Sequence, residues 1–173
     1  MGRHPKHLAV LNAVAERAGW GKPAPAGVFR GLAQQMGYGS YVAACAEVSV
    51  SEKGKLTVHR IVAATDPGYV VNPAQVERQI CGSFVFGLSA ALYGECTVKD
   101  GWMEKENFDT YNVMRMDEMP RVESIIMPSG GFWGGVGEPT IFVAAPAVLN
   151  AIFAATGKRI RSIPVTNQDL RKA

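Results

Sequence analysis

Residues 134–139 read Gly-Gly-Val-Gly-Glu-Pro, and an apolar, alanine-rich run follows them as far as Ala155. The ring of Pro139 fixes φ at about −65° and disfavours the helical region for the residue before it. We therefore expect a helix with Pro139 in its first position and Glu138 extended before it. Glu138 would lie at the positive end of the helix dipole, which stabilises the charged form of a carboxylate.

Three glycines surround this carboxylate, and they allow two interpretations. Gly134, Gly135 and Gly137 carry no side chain, so a bulky group can approach the backbone closely. A charged carboxylate beside such an open strip suits a general base that faces a bound cofactor or substrate. Glycine-rich turns before helices are also common, and a glutamate there often interacts only with the helix dipole. The motif alone leaves both interpretations open.

The composition is that of an apolar chain with little charge. The 173 residues are 47% hydrophobic and 19% charged, with a net charge of +3, whereas about a quarter charged is usual. Basic residues cluster only near the C-terminus, too sparsely for a nucleic-acid interface. No run reaches the roughly 20 apolar residues of a membrane span. The first residues lack the apolar region of a signal peptide.

Cysteines and histidines predict no metal site. The three cysteines are isolated, odd in number and outside any C-x-x-C pattern, so neither a disulfide framework nor a zinc site is expected. The histidines are equally dispersed, and His59 is expected on the surface or satisfied in the core. The sequence therefore predicts no protein ligands for a metal.

Periodic patterns predict the first elements of the fold. Residues 41–50 and 56–64 alternate with a period of two around a turn at residues 51–54, which indicates a hairpin with Leu56, Val58 and Val62 on one face. Before them, apolar residues at helical spacing predict a helix that ends at Gly19, with the face Leu8, Leu11, Val14, Ala15 and Ala18.

Residues 73–93 predict the longest helix, with Asn72 as its N-cap. It is apolar nearly all round, which is typical of a helix buried inside a larger body. Gly82 and Gly87 each cost about 1 kcal/mol relative to alanine within a helix, so another element or a ligand is expected to approach them. Gln79 lies one turn from the capped end, where a buried amide would need backbone or a polar ligand as its partner.

The remaining patterns complete an α+β fold in which helices pack on antiparallel β hairpins. Residues 95–105 predict a second hairpin, and residues 122–127 predict a short strand. Gly157 is expected to cap the last helix, and residues 165–173 are expected to be a frayed tail.

Several stretches together resemble the C-terminal part of the large, molybdenum-cofactor-binding subunit of the xanthine dehydrogenase superfamily. The resemblance extends in particular to the branch of isoquinoline 1-oxidoreductase beta subunits and bacterial aldehyde dehydrogenases. The residues that carry it include Gly19-Trp20-Gly21-Lys22-Pro23, Val71-Asn72-Pro73, Gly87-Leu88-Ser89-Ala90-Ala91 and Gly135-Val136-Gly137-Glu138-Pro139.

The resemblance implies a molybdenum hydroxylase that oxidises an aldehyde or an N-heterocycle, with water as the source of oxygen. In that family a pterin dithiolene holds the metal, and no protein side chain ligates it. The glutamate after Gly-Val-Gly acts as the general base, and its match here is Glu138. Gly135, Val136 and Gly137 would then lie against the cofactor. The glutamine of the family's Gln-x-Glu-Gly pattern contacts the cofactor and corresponds to Gln79.

The sequence departs from the family pattern at two places. Cys81 stands where Gln-x-Glu-Gly has its glutamate. Phe132 and Trp133 are unusual directly before the glycine motif. They would either line a pocket for an aromatic or aliphatic substrate or pack within the loop.

The resemblance also implies cofactors and partners. The cofactor would be molybdopterin, in its cytosine dinucleotide form, and 2Fe-2S clusters would lie on a partner subunit. The partners would be the remaining part of the molybdenum subunit, an iron–sulfur subunit, a small-molecule substrate and a cytochrome as electron acceptor. The compartment, bacterial periplasm or cytoplasm, is implied only by the family.

The family's subunit is several times longer than this chain, so residues 1–173 are expected to form a single C-terminal fragment of its molybdopterin-binding domain. Residues 1–38 would supply a helix and a Gly/Pro loop, residues 39–164 a wall of the cofactor site, and residues 165–173 the tail. Two rivals stand beside the catalytic interpretation. One is a folded fragment or assembly module that binds no cofactor on its own, and the other is a free-standing protein-interaction domain.

Overall fold

A four-stranded sheet with helices on both faces organises the chain. The computed structural model describes residues 4–172. In chain order the elements are α1 (Pro5–Ala18), β1 (Phe29–Gly37), β2 (Ser40–Val50), β3 (Leu56–Asp66), α2 (Pro73–Leu92), β4 (Val98–Lys99), β5 (Trp102–Met103), β6 (Arg121–Ile126), α3 (Ile141–Thr156) and a 3₁₀ turn (Val165–Asn167).

The strand order in the sheet is β1-β2-β3-β6. The first three strands are antiparallel, and β6 lies parallel to β3. The short strands β4 and β5 form a separate hairpin. The α+β class and the antiparallel hairpins are therefore confirmed, with one parallel pair in addition.

Strand β1 was not predicted, because residues 1–38 were assigned only a helix and a loop. Its sequence, Phe-Arg-Gly-Leu-Ala-Gln-Gln-Met-Gly, contains no β-branched residue and no clear alternation. It is nevertheless paired with β2 from Phe29, opposite Val48, to Gly37, opposite Ser40. Pairing with a buried neighbour therefore overrides a weak local preference.

Helix α1 covers one face of the sheet, and α2 and α3 cover the other. The buried residues of α1 are Val10, Val14 and Ala18. They pack against alternate residues of β2 and β3, namely Ala43, Cys45, Val62 and Ala64. Leu8 was expected on this buried face, but it is 37% exposed. Because helices cover β2 on both sides, its residues 42–48 are buried without a break.

A bulge in the β2–β3 pair changes the expected faces. Val48 pairs with Val58 and Glu47 with Arg60, so that His59 is an extra residue in β3. Val58 consequently packs on the α2–α3 side, whereas Val62 is buried under α1. The prediction that Val58 and Val62 share a face is wrong, because an extra residue reverses the alternation. His59 is exposed, as one of its two predicted placements required.

Helices α2 and α3 pack closely through small residues. A Cβ on Gly87 would lie 2.6 Å from the Cβ of Ala144, so the predicted approach of another element at Gly87 is confirmed. Helix α2 runs as predicted, and the side chain of Asn72 accepts the N–H of Gln75 at 3.2 Å. Helix α3 begins at Ile141, two residues later than the expected start at Pro139.

The segment after α3 is packed, so the prediction of a frayed tail is wrong for the described residues 165–172. Val165 and Leu170 are 2% and 3% exposed and belong to the core on the α2–α3 side. The hydroxyl of Thr166 donates to the carbonyl oxygen of Leu92 at 2.7 Å. Isolated apolar residues hold this segment, without the periodicity that would have indicated burial.

A line of alternating charges crosses the sheet at the C-terminal end of α1. Arg30 and Glu47 are 2.9 Å apart, and Arg60 lies 3.5 Å from Glu47 and 2.9 Å from Glu123. Arg17 also contacts Glu123 at 2.9 Å. Hydrogen bonds from Arg60 lower the pKa of Glu123 from its ordinary 4.5 to about 2, and Arg17 acts in the same direction.

Within residues 4–172, no helix is long and apolar enough to cross a membrane.

Candidate active site

The glycine loop of residues 134–137 lies against the turn between β1 and β2. The N–H of Gly135 donates to the carbonyl oxygen of Tyr38 at 2.8 Å, and the N–H of Gly134 donates to that of Pro67 at 2.7 Å. The hydroxyl of Ser40 donates to the carbonyl oxygen of Gly135. A Cβ on Gly134 would lie within 2.8 Å of three atoms of this turn, so only glycine fits at that position.

A buried carboxylate anchors the start of the loop. Asp66, the last residue of β3, is 3% exposed. Its Oδ1 accepts the N–H of Gly68 at 2.9 Å, the hydroxyl of Ser129 at 2.9 Å and the N–H of Ser129 at 3.3 Å. The N–H of Gly130 donates to the carbonyl oxygen of Gly68 at 2.7 Å. Asp66 was not among the predicted site residues; its signal in the sequence is a carboxylate that ends a buried strand.

The N-terminal half of α2 meets the other side of the loop. The hydroxyl of Ser83 lies within hydrogen-bond distance of the carbonyl oxygens of Gly137, 54 residues away in sequence, and Gln79. The amide nitrogen of Gln79 lies 3.9 Å from the position that a Cβ on Gly137 would take. Gln79 is exposed in this chain, so the buried amide considered in the sequence analysis is not observed. The structure does bring Gln79 and the glycine loop to one surface.

Glu138 follows the loop at the N-terminus of α3. Its carbonyl oxygen accepts the N–H of Ile141 at 2.9 Å, and Pro139 is buried. The side chain of Glu138 is exposed, and among residues 4–172 its carboxylate forms no hydrogen bond or ion pair. An arginine therefore does not neutralise it in this part of the protein.

Several polar groups at this surface have no partner among the described residues. The backbone N–H groups of Val136, Gly137 and Glu138 donate no hydrogen bond within residues 4–172. Thr140, the N-cap of α3, is 1% exposed, and its hydroxyl oxygen also lacks a partner there. Unpaired backbone N–H groups are available as hydrogen-bond donors, and a buried hydroxyl normally has a partner. The loop can therefore accept oxygen-rich groups.

Phe132 and Trp133 form an exposed aromatic step beside the loop. They are 83% and 63% exposed, and their ring centroids lie 4.9 Å apart with an interplanar angle of 17°. The carbonyl oxygen of Phe132 lies 2.4 Å from the position of a Cβ on Gly68, whose φ is +79°. The two rings contact each other in a stack and leave their outer faces open.

Two cavities of the fold lie away from the candidate site. A cavity of about 740 Å³ opens between the start of β3, the end of α2 and residues 165–170, and a second of about 420 Å³ lies beside Val28 and Val50. Neither is lined by Gln79, Glu138 or the glycine loop. Residues 4–172 also contain no cluster of histidine, cysteine and acidic side chains that could hold a metal ion. Because Gln79 and Glu138 are both exposed, the candidate site is an open surface.

Comparisons with known proteins identify relatives for this arrangement. The chain is 32% identical over 171 residues to the membrane-bound aldehyde dehydrogenase [pyrroloquinoline-quinone] of Gluconacetobacter polyoxogenes, with 95% of this chain and 22% of that protein covered. It is 32% identical over 165 residues to the isoquinoline 1-oxidoreductase subunit beta of Brevundimonas diminuta, with 93% and 21% covered. The chain thus spans about a fifth of the length of these curated relatives.

Solved structures agree with the sequence relatives. The aldehyde oxidoreductase of Desulfovibrio gigas matches with a TM-score of 0.62 and 27% identity over 72% of this chain and 14% of that one. A family model described as a molybdopterin cofactor-binding domain matches residues 14–120. The match covers the end of α1, strands β1 to β5 and α2, and it ends before β6 and the glycine loop. Since more than half of its residues match this model, the chain belongs to the family of molybdopterin cofactor-binding domains found in oxidoreductases such as aldehyde and isoquinoline oxidoreductases.

Proposed function

We propose that residues 39–164 form one wall of the cofactor site of a molybdenum hydroxylase, and that Glu138 is its general base. The observation that carries this proposal is the meeting of two distant segments. The amide of Gln79 and the bare backbone of Gly137 lie side by side, directly before the unpaired carboxylate of Glu138. An amide, free N–H groups and a carboxylate at one open surface suit a polar cofactor with a reacting atom next to the base.

The residues at this surface fit molybdopterin. The cofactor carries oxygen-rich groups, for which the amide of Gln79 and the N–H groups of residues 136–138 are suitable donors. A Cβ on Gly135 would lie 3.1 Å from the Cβ of Tyr38, so that glycine accommodates the turn between β1 and β2. A Cβ on Gly137 would meet only the amide nitrogen of Gln79, at 3.9 Å, so a flat ring system can lie against the backbone there. When bound, molybdopterin supplies a metal centre that takes up two electrons from the substrate while water provides the oxygen atom.

Glu138 would hold the proton that is released when the oxygen nucleophile is activated. A base must be ionised and free of competing cations before the reaction, and the carboxylate has no cationic partner in residues 4–172. The carboxylate precedes the N-terminus of α3, which begins three residues later at Ile141. Asp66 and Ser129 would contribute indirectly, since they hold the start of the loop.

Family membership supports the rest of the proposal. The substrate would be an aldehyde or an N-heterocycle, as the names of the relatives indicate for those proteins. One relative's name includes pyrroloquinoline quinone. The family model that matches, however, is described as a molybdopterin cofactor-binding domain. We therefore assign molybdopterin here, in its cytosine dinucleotide form. The 2Fe-2S clusters would lie on a partner subunit, and a cytochrome would accept the electrons.

A second candidate is a folded module that binds no cofactor by itself. The exposure of Gln79 and Glu138 favours it for the chain in isolation, because a cofactor held by one wall gains few contacts. The two candidates differ in what copurifies. Molybdenum bound to this chain alone would contradict the module, and molybdenum bound only after assembly with the remaining subunit would support the proposal of one wall.

Replacing Glu138 with glutamine tests the base directly. In the assembled enzyme we expect Glu138→Gln to lower turnover by at least about a hundredfold, because general-base catalysis contributes roughly 10²–10⁴-fold, while the molybdenum content stays unchanged. The matched control is Glu52→Gln, in the exposed turn between β2 and β3. Turnover of Glu138→Gln within a few-fold of wild type would refute the base role.

A further inference from the structure

The outward side of α2 carries an uncharged face that this chain leaves open. Gln79, Gly82, Phe86 and Ala90 recur at intervals of three and four residues, so they share one side of the helix. We call these four residues the α2 seam. They face away from the buried stripe Ile80, Phe84 and Leu88, and they extend for roughly 17 Å at 1.5 Å per residue.

The α2 seam is unlike a solvent-facing helix surface. From Gln79 to Leu92 the helix contains no charged residue, whereas the solvent side of a surface helix normally carries charged and polar side chains. Phe86 is 74% exposed, and Ala90 is also exposed. A large ring between small residues is the pattern of a packing surface, in which the ring enters a partner and the partner's side chains approach the helix.

Gly82 supplies an independent observation. A glycine inside a helix costs about 1 kcal/mol relative to alanine, and a close neighbour usually explains it. Gly87 has that neighbour, since a Cβ there would meet the Cβ of Ala144 at 2.6 Å. A Cβ on Gly82 would meet nothing within 4 Å among residues 4–172. No element of the described part of the chain therefore accounts for a glycine at this position.

We propose that the α2 seam docks the remainder of a molybdenum-binding subunit through an uncharged, largely apolar element. The curated relatives are about five times as long as the matched region, which covers 22% and 21% of them. The seam also begins at Gln79, beside Gly137, so the polypeptide that completes the candidate site must lie at its edge. If a second copy of this chain docked on the seam instead, it would cover the candidate site that lies beside it. The proposal rests on the proposed function, since it takes the partner from it.

The test is to coexpress this chain with the remaining part of the molybdenum-binding subunit as a separate polypeptide, and to measure the dissociation constant of the purified pair. Two variants alter the seam: Phe86→Asp places a charge on it, and Gly82→Leu fills the open space. The matched control is Leu8→Asp, at an exposed apolar residue of α1 across the sheet. Thermal unfolding of each variant alone establishes that it is folded.

We expect both seam variants to weaken the complex at least about tenfold, because buried aromatic anchors dominate interfaces, and Leu8→Asp to leave it unchanged. Gly82→Leu is the sharper variant, since it should stabilise the free chain through its helix propensity and still impair assembly. Wild-type affinity in both seam variants, no complex in the wild type, or seam-dependent self-association in sedimentation would each overturn the proposal. A seam-dependent complex without molybdenum would instead count against the proposed function alone.

Discussion

Two glycines on the same helix offer a clean measure of how tightly α2 and α3 pack. Gly82→Ala and Gly87→Ala make the same change in α2, and each should gain about 1 kcal/mol of helix propensity. They differ only in their surroundings. A Cβ on Gly82 meets no atom of residues 4–172 within 4 Å, whereas a Cβ on Gly87 would lie 2.6 Å from the Cβ of Ala144 and 3.3 Å from the carbonyl oxygen of Ile141.

The clash at Gly87 cannot be relieved by the rotation of a side chain. Carbon atoms in contact lie about 3.5–4.0 Å apart, so α2 and α3 would have to separate by roughly 1 Å. The side chain of Ala144 has no rotamer that could move it away, and the residue is fully buried. Overpacking of this kind costs about 1–3 kcal/mol. Set against the propensity gain, the expected change for Gly87→Ala lies between about zero and a loss of 2 kcal/mol.

Urea unfolding of the free chain, followed by circular dichroism, measures both changes. Gly82→Ala should raise the free energy of unfolding by about 1 kcal/mol, which corresponds to roughly 2–4 °C in Tm for a chain of this size. Ala144→Gly should rescue Gly87→Ala, and the double-mutant cycle should give a coupling of about 1–3 kcal/mol. Equal effects of the two alanine variants, or no coupling with Ala144, would refute the close packing of α2 against α3 at Gly87.

Two further predictions concern the charged groups of the fold. Because the pKa of Glu123 is lowered from 4.5 to about 2, its contribution to stability is present above about pH 4.5 and is lost as the pH falls towards 2. The unfolding free energy of wild type should therefore fall more steeply across that window than that of Glu123→Gln, and parallel urea titrations would contradict this. Asp66→Ala should lower the free energy of unfolding by about 1–3 kcal/mol, since it leaves the buried N–H of Gly68 unpaired; hydrogen exchange should rise at Gly68 and Ser129 and remain unchanged in α1.

The parts of the fold that the sequence predicted are those with strong local signals. Helix α2 was predicted from a capping asparagine followed by proline and a long apolar run, and its bounds, Pro73–Leu92, are observed within one residue. The β2–β3 hairpin was predicted from alternation around a glycine turn. Such signals act within a few residues of the chain, so they can be recognised without the tertiary structure.

The parts that were missed depend on contacts between distant residues. Strand β1 has no strand-like pattern and is held by pairing with β2 along its full length. The bulge at His59 moves Val62 to the other face, and nothing in the sequence marks the extra residue. Val165 and Leu170 become buried only because α2 and the sheet leave space for them. In each case the tertiary environment supplies the information.

The candidate site follows the same division. The motif of Glu138 and its glycines could be recognised from local chemistry, and the resemblance added Gln79. The proximity of Gln79 to the loop needed the structure, because it brings α2 beside a loop after β6. Asp66 was missed for the same reason, since its function as an anchor appears only when the end of β3 meets Ser129.

The exposure of the candidate site is informative when the two sides of α2 are compared. The inner side is closed by α3, and there the small residue Gly87 has an evident packing reason. The outer side likewise carries small, apolar and uncharged groups, namely Gly82, Phe86 and the amide of Gln79. Residues 4–172 do not cover them. A surface selected only for contact with water would not need a glycine at Gly82 or an open ring at Phe86, because each lowers stability or solubility there. The same absent neighbour thus accounts for both the open seam and the open carboxylate, since the two surfaces meet where Gln79 lies beside Gly137.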